Sequence, residues 1–159
     1  MKKTLAILVV CAFGLLATSA FALEDEWGVI TIPKEQPMHL GFAAALTGDY
    51  ANLGLDERDG MLLAVEDKGG EILGFQVQPF IEDDQCEGSP AMAIAEKFSS
   101  NPLFVGLIGH MCSPSSIPAS KTYERHGFSM ISPSSTAAEY TARGMQNVFR
   151  TCFSDEVQG

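Results

Sequence analysis

Short apolar runs alternate with amphipathic segments along most of this chain, and turn residues separate them. Met38-His39-Leu40-Gly41-Phe42-Ala43-Ala44 has strand length, and Leu46-Thr47-Gly48-Asp49-Tyr50 behind it carries turn residues. From Gly54 to Lys68 the residues Leu55, Met61, Leu62, Leu63, Ala64 and Val65 fall around a helical period, and Gly69-Gly70 supplies a left-handed stop. Phe75 to Ile81 alternates as a strand, and Ser89-Pro90 then offers an N-cap and a first-turn proline for a helix to about Ser99. Phe104 to Ile108 is a continuous apolar run, the pattern of a strand covered on both faces. Ser113-Pro114 repeats the cap-and-proline signal for a helix reaching Arg125, which Gly127 stops. Phe128 to Ile131 predicts another buried strand, Thr136-Ala137-Ala138-Glu139 a capping box, and Asn147 to Thr151 a fifth strand. Asp155 to Gly159 opens one more helix, so the sequence reads as truncated inside a repeating unit.

Strands alternating with helices at this spacing imply right-handed crossovers and a doubly wound parallel sheet of the α/β class, with helices on both faces. Ligands of such sheets sit beyond the carboxyl ends of the strands, which directs attention to three loops: Thr47 to Tyr50, Gly109 to Pro114, and Ser132 to Thr136. The latter two run into helix starts, where unpaired N–H groups and the helix dipole attract an anion such as a carboxylate. Serine-rich helix starts commonly do no more than cap; two of them at one sheet edge favour ligand binding.

The beginning of the chain follows a different pattern. Lys2-Lys3, an apolar run from Leu5 to Leu16, and Ala20-Phe21-Ala22 form a secretory signal with cleavage expected after Ala22. The run is too short to span a bilayer, and a lipid anchor on Cys11 is disfavoured by the bulky Val9-Val10 before it. Residues 23–37, with Trp27, Pro33 and Pro37, read as an extended leader before a single domain over 38–159. The whole chain has 10 basic and 20 acidic residues, and the signal removes two lysines and no acid. Such an acidic surface excludes nucleic acid as a partner, because phosphate binding requires a basic one. Export to an oxidising compartment predicts one bridged pair among Cys86, Cys112 and Cys152, with three pairings open. Zinc is disfavoured, since there is no Cys-x-x-Cys and His39, His110 and His126 are scattered.

Two catalytic arrangements can be drawn from these residues and neither is favoured. Cys112 beside His110 would be a nucleophile and base, but residues two apart at a strand–helix junction do not ordinarily face one another. Glu82-Asp83-Asp84 after the second strand would hold magnesium or accept a phosphoryl group; a solvated strand end explains it as well. Nothing calls for a cofactor.

Several segments together resemble a known family. Gly109-His110-Met111-Cys112-Ser113, Met130-Ile131-Ser132-Pro133-Ser134-Ser135-Thr136-Ala137, and Phe149-Arg150-Thr151 with Gln158-Gly159 are similar in order and spacing to the leucine/isoleucine/valine-binding proteins, type I periplasmic receptors of ABC importers. Asp83-Asp84-Gln85-Cys86 and Asp67-Lys68-Gly69-Gly70 fit the same pattern. The resemblance covers residues 37–159 and only the first lobe of a family member. It implies a Cys86–Cys112 disulfide with Cys152 free. It also implies an amino-acid site in which Ser113 and the Thr136 N–H take the carboxylate, while the Ser134 carbonyl and Thr136 hydroxyl take the ammonium. Cys112 and Ser135 lie within the same loops. Leu53 stands where well-known members carry a tyrosine lining the side-chain pocket, and serines replace alanines at 134 and 135, so the resemblance leaves the side chain of the ligand open. The expected partners are a small-molecule amino acid and a membrane ABC permease, in the periplasm, and an acidic group from a second lobe would complete ammonium recognition. A ligand-sensing lobe of a receptor or regulator is the alternative that the same fold allows.

Overall fold

The computed structural model describes residues 28–158, so the signal segment, its cleavage position and residues 23–27 of the leader lie outside the described residues. Residues 28–37 contain neither helix nor strand; the Gln36 N–H donates to the Pro33 carbonyl at 2.8 Å in a turn that delivers the chain to the first strand.

The elements follow in the order β1 (Met38–Ala44), α1 (Ala51–Asp67), β2 (Glu71–Ile72), β3 (Phe75–Asp83), α2 (Gly88–Ser99), β4 (Phe104–Gly109), α3 (Ser113–Arg125), β5 (Met130–Ser132), α4 (Ala138–Ala142), β6 (Val148–Arg150) and α5 (Asp155–Gln158). The sheet order is β2-β3-β1-β4-β5-β6, and all neighbours pair in parallel except β2 with β3. The expected doubly wound α/β sheet is present. Its small antiparallel addition, β2, is a two-residue hairpin arm turning through Leu73 and Gly74, whose φ values of 54° and 85° match the twist of a tight hairpin. Two residues are too few to leave a hydropathy pattern.

Helices cover both faces. On one, α2 and α3 bury Phe98, Phe104, Tyr123 and Met130 with Tyr140 of α4. Phe98 and Phe104 stack with centroids 5.3 Å apart, and fully burying a side chain of this size contributes roughly 1.5–3 kcal/mol. On the other, Met61 of α1 packs on Phe42, Ala44, Ala45 and Met111. The start of α1 lies very close to the sheet. A Cβ on Gly54 would stand 1.9 Å from the Ala45 carbonyl oxygen, so only glycine admits this approach. That contact holds the first turns of α1 at the carboxyl edge of β1.

The helix starts differ from the sequence-based expectation. Helix α1 begins at Ala51 rather than Gly54, and the N-cap positions are Tyr50, Glu87, Cys112 and Ala137, none of which makes a side-chain cap hydrogen bond. Ser89 and Ser113 therefore lie inside their helices, and the capping box at Thr136 does not form. The displaced hydroxyl of Ser113 serves another partner, and the backbone of Thr136 is held from behind.

Candidate functional site

The chain crosses from one side of β1 to the other between β3 and β4, and the loops after β1, β3, β4 and β5 gather at the same sheet edge. They enclose an open hollow of about 460 Å³ lined by Tyr50 and Leu53 of the α1 start, Cys86, the segment Met111 to Pro114, and Ser134 and Thr136. Its volume suits a small molecule. Leu53 is 61% exposed and Tyr50 55%, so both present apolar surface to this space without packing into the core.

One wall is fixed by the Cys86–Cys112 disulfide, whose Cα atoms are 5.3 Å apart, and Cys152 is free. Gln85 and Cys86 both adopt left-handed backbone conformations, φ 54° and 62°, which non-glycine residues avoid. Two carboxylates hold them there. Asp83 accepts from the Gln85 N–H at 3.0 Å and Asp84 from the Cys86 N–H at 2.9 Å. Asp83 also receives the Leu46 N–H at 2.9 Å and the Thr47 hydroxyl at 2.5 Å; partial burial works against these bonds, yet they hold its carboxyl below the usual range. Glu82 pairs with Lys97 at 2.6 Å. The acidic run thus divides into three separate structural tasks, and no cluster of three metal-ligating side chains occurs among the described residues.

Beneath the hollow lies a buried polar lattice. His110 is fully buried, its Nδ1 2.6 Å from Asp84 Oδ2, with the Tyr123 hydroxyl 3.4 Å from Nε2. Burial pushes the Tyr123 phenol well above its ordinary range, so it stays neutral. The His110 carbonyl accepts from Ser132 at 2.6 Å, Ser116 at 2.9 Å and Ser135 at 3.3 Å. Ser135 is itself fully buried and also reaches Ser116 at 2.7 Å and the Met111 carbonyl at 3.0 Å, so its hydroxyl faces the interior. These bonds tie the β4–α3 loop to the β5–α4 loop. Cys112 and His110 are not paired as nucleophile and base: the ring is engaged by Asp84, and Cys112 is bonded to Cys86.

The orientation of the second loop comes from Arg150 of β6. Its guanidinium donates to three successive carbonyls, Ser135 at 3.3 Å, Thr136 at 3.0 Å and Ala137 at 2.9 Å. In a trans peptide the N–H points opposite to the preceding carbonyl, so the N–H groups of Thr136 and Ala137 face away from Arg150. The Ala137 N–H accordingly donates to Ser113 Oγ at 3.1 Å. Having accepted that bond, the Ser113 hydroxyl keeps its own proton to donate. The Thr136 N–H and hydroxyl and the Ser134 carbonyl have no partner among the described residues, which leaves donors and acceptors on one side of the hollow.

Ser134 brings in a residue that sequence reasoning passed over. Its hydroxyl donates to the carboxylate of Glu57, with the Met111 carbonyl 3.2 Å away. Glu57 follows Leu53 by four positions, one helical turn along the same face of α1. Burial raises its carboxyl above the ordinary range, against the lowering effect of the Ser134 bond, and Asp56 and Asp84 add to the rise. Arg150, Ser116 and Ser132 were likewise not singled out as site residues, because each acts on a backbone group that only the folded loops bring near.

Of the residues expected at the site, Leu53, Cys112, Ser113, Ser134 and Thr136 line the hollow, whereas Ser135 lies beneath it. The periplasmic binding protein family model matches residues 37–159. The leucine-, isoleucine-, valine-, threonine- and alanine-binding protein of Pseudomonas aeruginosa is 41% identical over 123 residues, which are 76% of this chain and 32% of that protein. The Leu/Ile/Val-binding protein of Escherichia coli K12 is 39% identical over 147 residues, 91% of this chain and 36% of that protein. Among solved structures, an ABC transporter substrate-binding protein from Desulfitobacterium hafniense in complex with Leu aligns with a TM-score of 0.67 and 31% identity, covering 77% of this chain and 36% of that one. A leucine binding protein from Thermotoga maritima aligns with a TM-score of 0.71 and 26% identity over 76% of this chain and 34% of its own. The chain spans about a third of the length of these relatives. It belongs to the periplasmic binding protein family, whose members are solute binders and not enzymes.

Proposed function

We propose that this chain is the first lobe of an exported receptor that captures an amino acid in the periplasm and delivers it to a membrane ABC permease. The observation that carries the reading is the polar pattern on one wall of the hollow. The Ser113 hydroxyl, the Thr136 N–H and the N-terminus of the 13-residue helix α3 offer donors and positive potential to a carboxylate. The Ser134 carbonyl and Thr136 hydroxyl offer acceptors to an ammonium group beside it. A zwitterion so placed has both charges matched, which avoids the cost of burying either alone. The apolar Tyr50 and Leu53 stand where the side chain of such a ligand would lie, and the named specificities of the Pseudomonas and Escherichia relatives support an aliphatic one.

The secretory signal read in residues 1–22, with cleavage expected after Ala22, supports a periplasmic location. One lobe supplies one wall, and closure of a second lobe over it would complete the site. The test is a thermal-shift panel of the twenty amino acids against the complete gene product after signal removal. The reading expects a rise of several degrees with one or a few aliphatic amino acids, abolished by Ser113→Ala. No rise with any amino acid would overturn it.

A further inference from the structure

The environment of Glu57 carries an assignment that rests on the amino-acid reading above. Leu53 and Glu57 fall one helical turn apart on α1, whose N-cap is Tyr50; Tyr50 and Leu53 line the hollow, and Glu57 stands behind it, bonded to the lining residue Ser134. Its other carboxylate oxygen, Oε2, is sealed from solvent and has no hydrogen-bond donor among the described residues. Among the described residues no cation offsets it. Arg58, the adjacent residue, turns to Asp59 at 2.7 Å, Lys97 pairs with Glu82, and Arg125 with Glu96. The charged groups that bear on Glu57 are Asp56 on its own helix and Asp84 behind β3, both acidic, and they repel its charge. A stabilising structural carboxylate ordinarily has a cation or several N–H donors. Here a single hydroxyl serves, that of Ser134, a residue lining the hollow.

We propose that Glu57 is a specificity-determining residue of this site: its carboxylate, seated on Ser134 without a cation of its own, supplies the first lobe's negative charge that selects solutes carrying an α-ammonium beside their carboxylate. The charge acts in two ways. It attracts the ammonium through space from behind Ser134, and it orients Ser134, whose backbone carbonyl is the acceptor of the amino-acid reading. This places an acidic group on the first lobe, so that ammonium recognition begins before any second lobe closes. Solutes that share the carboxylate and side chain but lack the amino group gain nothing from Glu57 and are repelled by it.

The experiment measures dissociation constants by calorimetry, using the complete gene product after signal removal. The probes are L-leucine, L-valine and L-alanine, each paired with the acid that lacks its α-amino group. Glu57→Gln keeps the shape and the acceptor for Ser134 and removes only the charge, and Glu57→Asp keeps the charge. The ratio of amino-acid to des-amino affinity should fall roughly tenfold in Glu57→Gln, as expected for loss of one nearby charge in a partly desolvated site, and be largely retained in Glu57→Asp. Equal weakening toward both members of a pair would show a merely structural role and overturn the proposal, as would an unchanged ratio. Failure of the unsubstituted protein to bind any of the amino acids would overturn the amino-acid reading itself, together with this assignment.

Discussion

Opening the Cys86–Cys112 bridge should destabilise the fold by an amount that its loop length sets. The two cysteines are 26 positions apart, and the chain-entropy relation for a loop of that size gives about 3.5 kcal/mol. The loop holds all of α2 and β4, so the bridge restrains a full helix–strand unit in the unfolded chain. In the folded state the pair sits beside Met111 against the cluster around Phe42 and Met61, and small residues in place of both cysteines leave that packing largely intact. The perturbation is Cys86→Ala with Cys112→Ala, followed by urea unfolding with fluorescence from the buried Tyr123 and Tyr140 and far-ultraviolet circular dichroism in parallel. With a urea slope of about 2 kcal/mol per molar, the midpoint should fall by roughly 1.5–2 M. The slope itself should rise slightly, because the unbridged denatured chain exposes more surface. Reductant should bring the unsubstituted protein to the same midpoint and leave the double variant unmoved. An unchanged midpoint, or three reactive thiols in the denatured, unreduced protein, would refute the reasoning.

Other perturbations separate the remaining layers of the account. Gly54→Ala should destabilise by about 2 kcal/mol or more, since its Cβ would meet the Ala45 carbonyl at 1.9 Å; thermal melting reads it, and an unchanged midpoint would mean that α1 does not approach β1 so closely. Asp84→Ala leaves His110 buried without its partner and should cost about 3 kcal/mol, measured by denaturant unfolding. The lowered carboxyl of Asp83 contributes stability that is complete above the unfolded-state value near 4 and is lost as pH falls through its lower folded value; Asp83→Asn should therefore flatten the stability profile on the acid side. Glu57 has the opposite sign: its folded value is raised, so its ionisation costs stability progressively as pH rises from the unfolded-state value through the folded one, and Glu57→Gln should leave the melting temperature at pH 7 unchanged or higher even as ligand selection declines.

The strands were legible because their apolar runs are bounded by glycine, proline and acidic turns: the expected Met38 to Ala44 is the observed β1, and Phe104 to Ile108 differs from β4 by one residue. The helix starts were less legible. Ser89, Ser113 and Thr136 all have capping chemistry, yet the caps fall one or two residues earlier at Glu87 and Cys112, and one later at Ala137. The first helical turn leaves its N–H groups unpaired, so proline is accommodated there at the second position in α3 (Pro114) and the third in α2 (Pro90), and the serine before it does not fix the boundary. The start of α1 was hidden because its determinant, the contact of Gly54 with Ala45, joins two elements.

At the site, residues that present side chains to the hollow were visible through their loops, while those that act on backbone from behind were not. Arg150 sets the direction of the Thr136 N–H through three carbonyls, and nothing in the linear pattern of Val148 to Arg150 signals it. Ser135 shows the converse. It shares the composition of its neighbours, but its position on the opposite side of the loop turns its hydroxyl into the interior lattice.

The most direct test of the central claim is an amide chemical-shift titration of the isotopically labelled complete gene product, after signal removal, with L-leucine. The account predicts saturable movement of the Ser113, Thr136 and Ala137 amides around the hollow, and none at Ile32, Phe75 and Val105, which line a separate apolar recess near the other end of the sheet. Movement centred on that recess, or no movement with this or any other amino acid, would contradict the placement of the solute site.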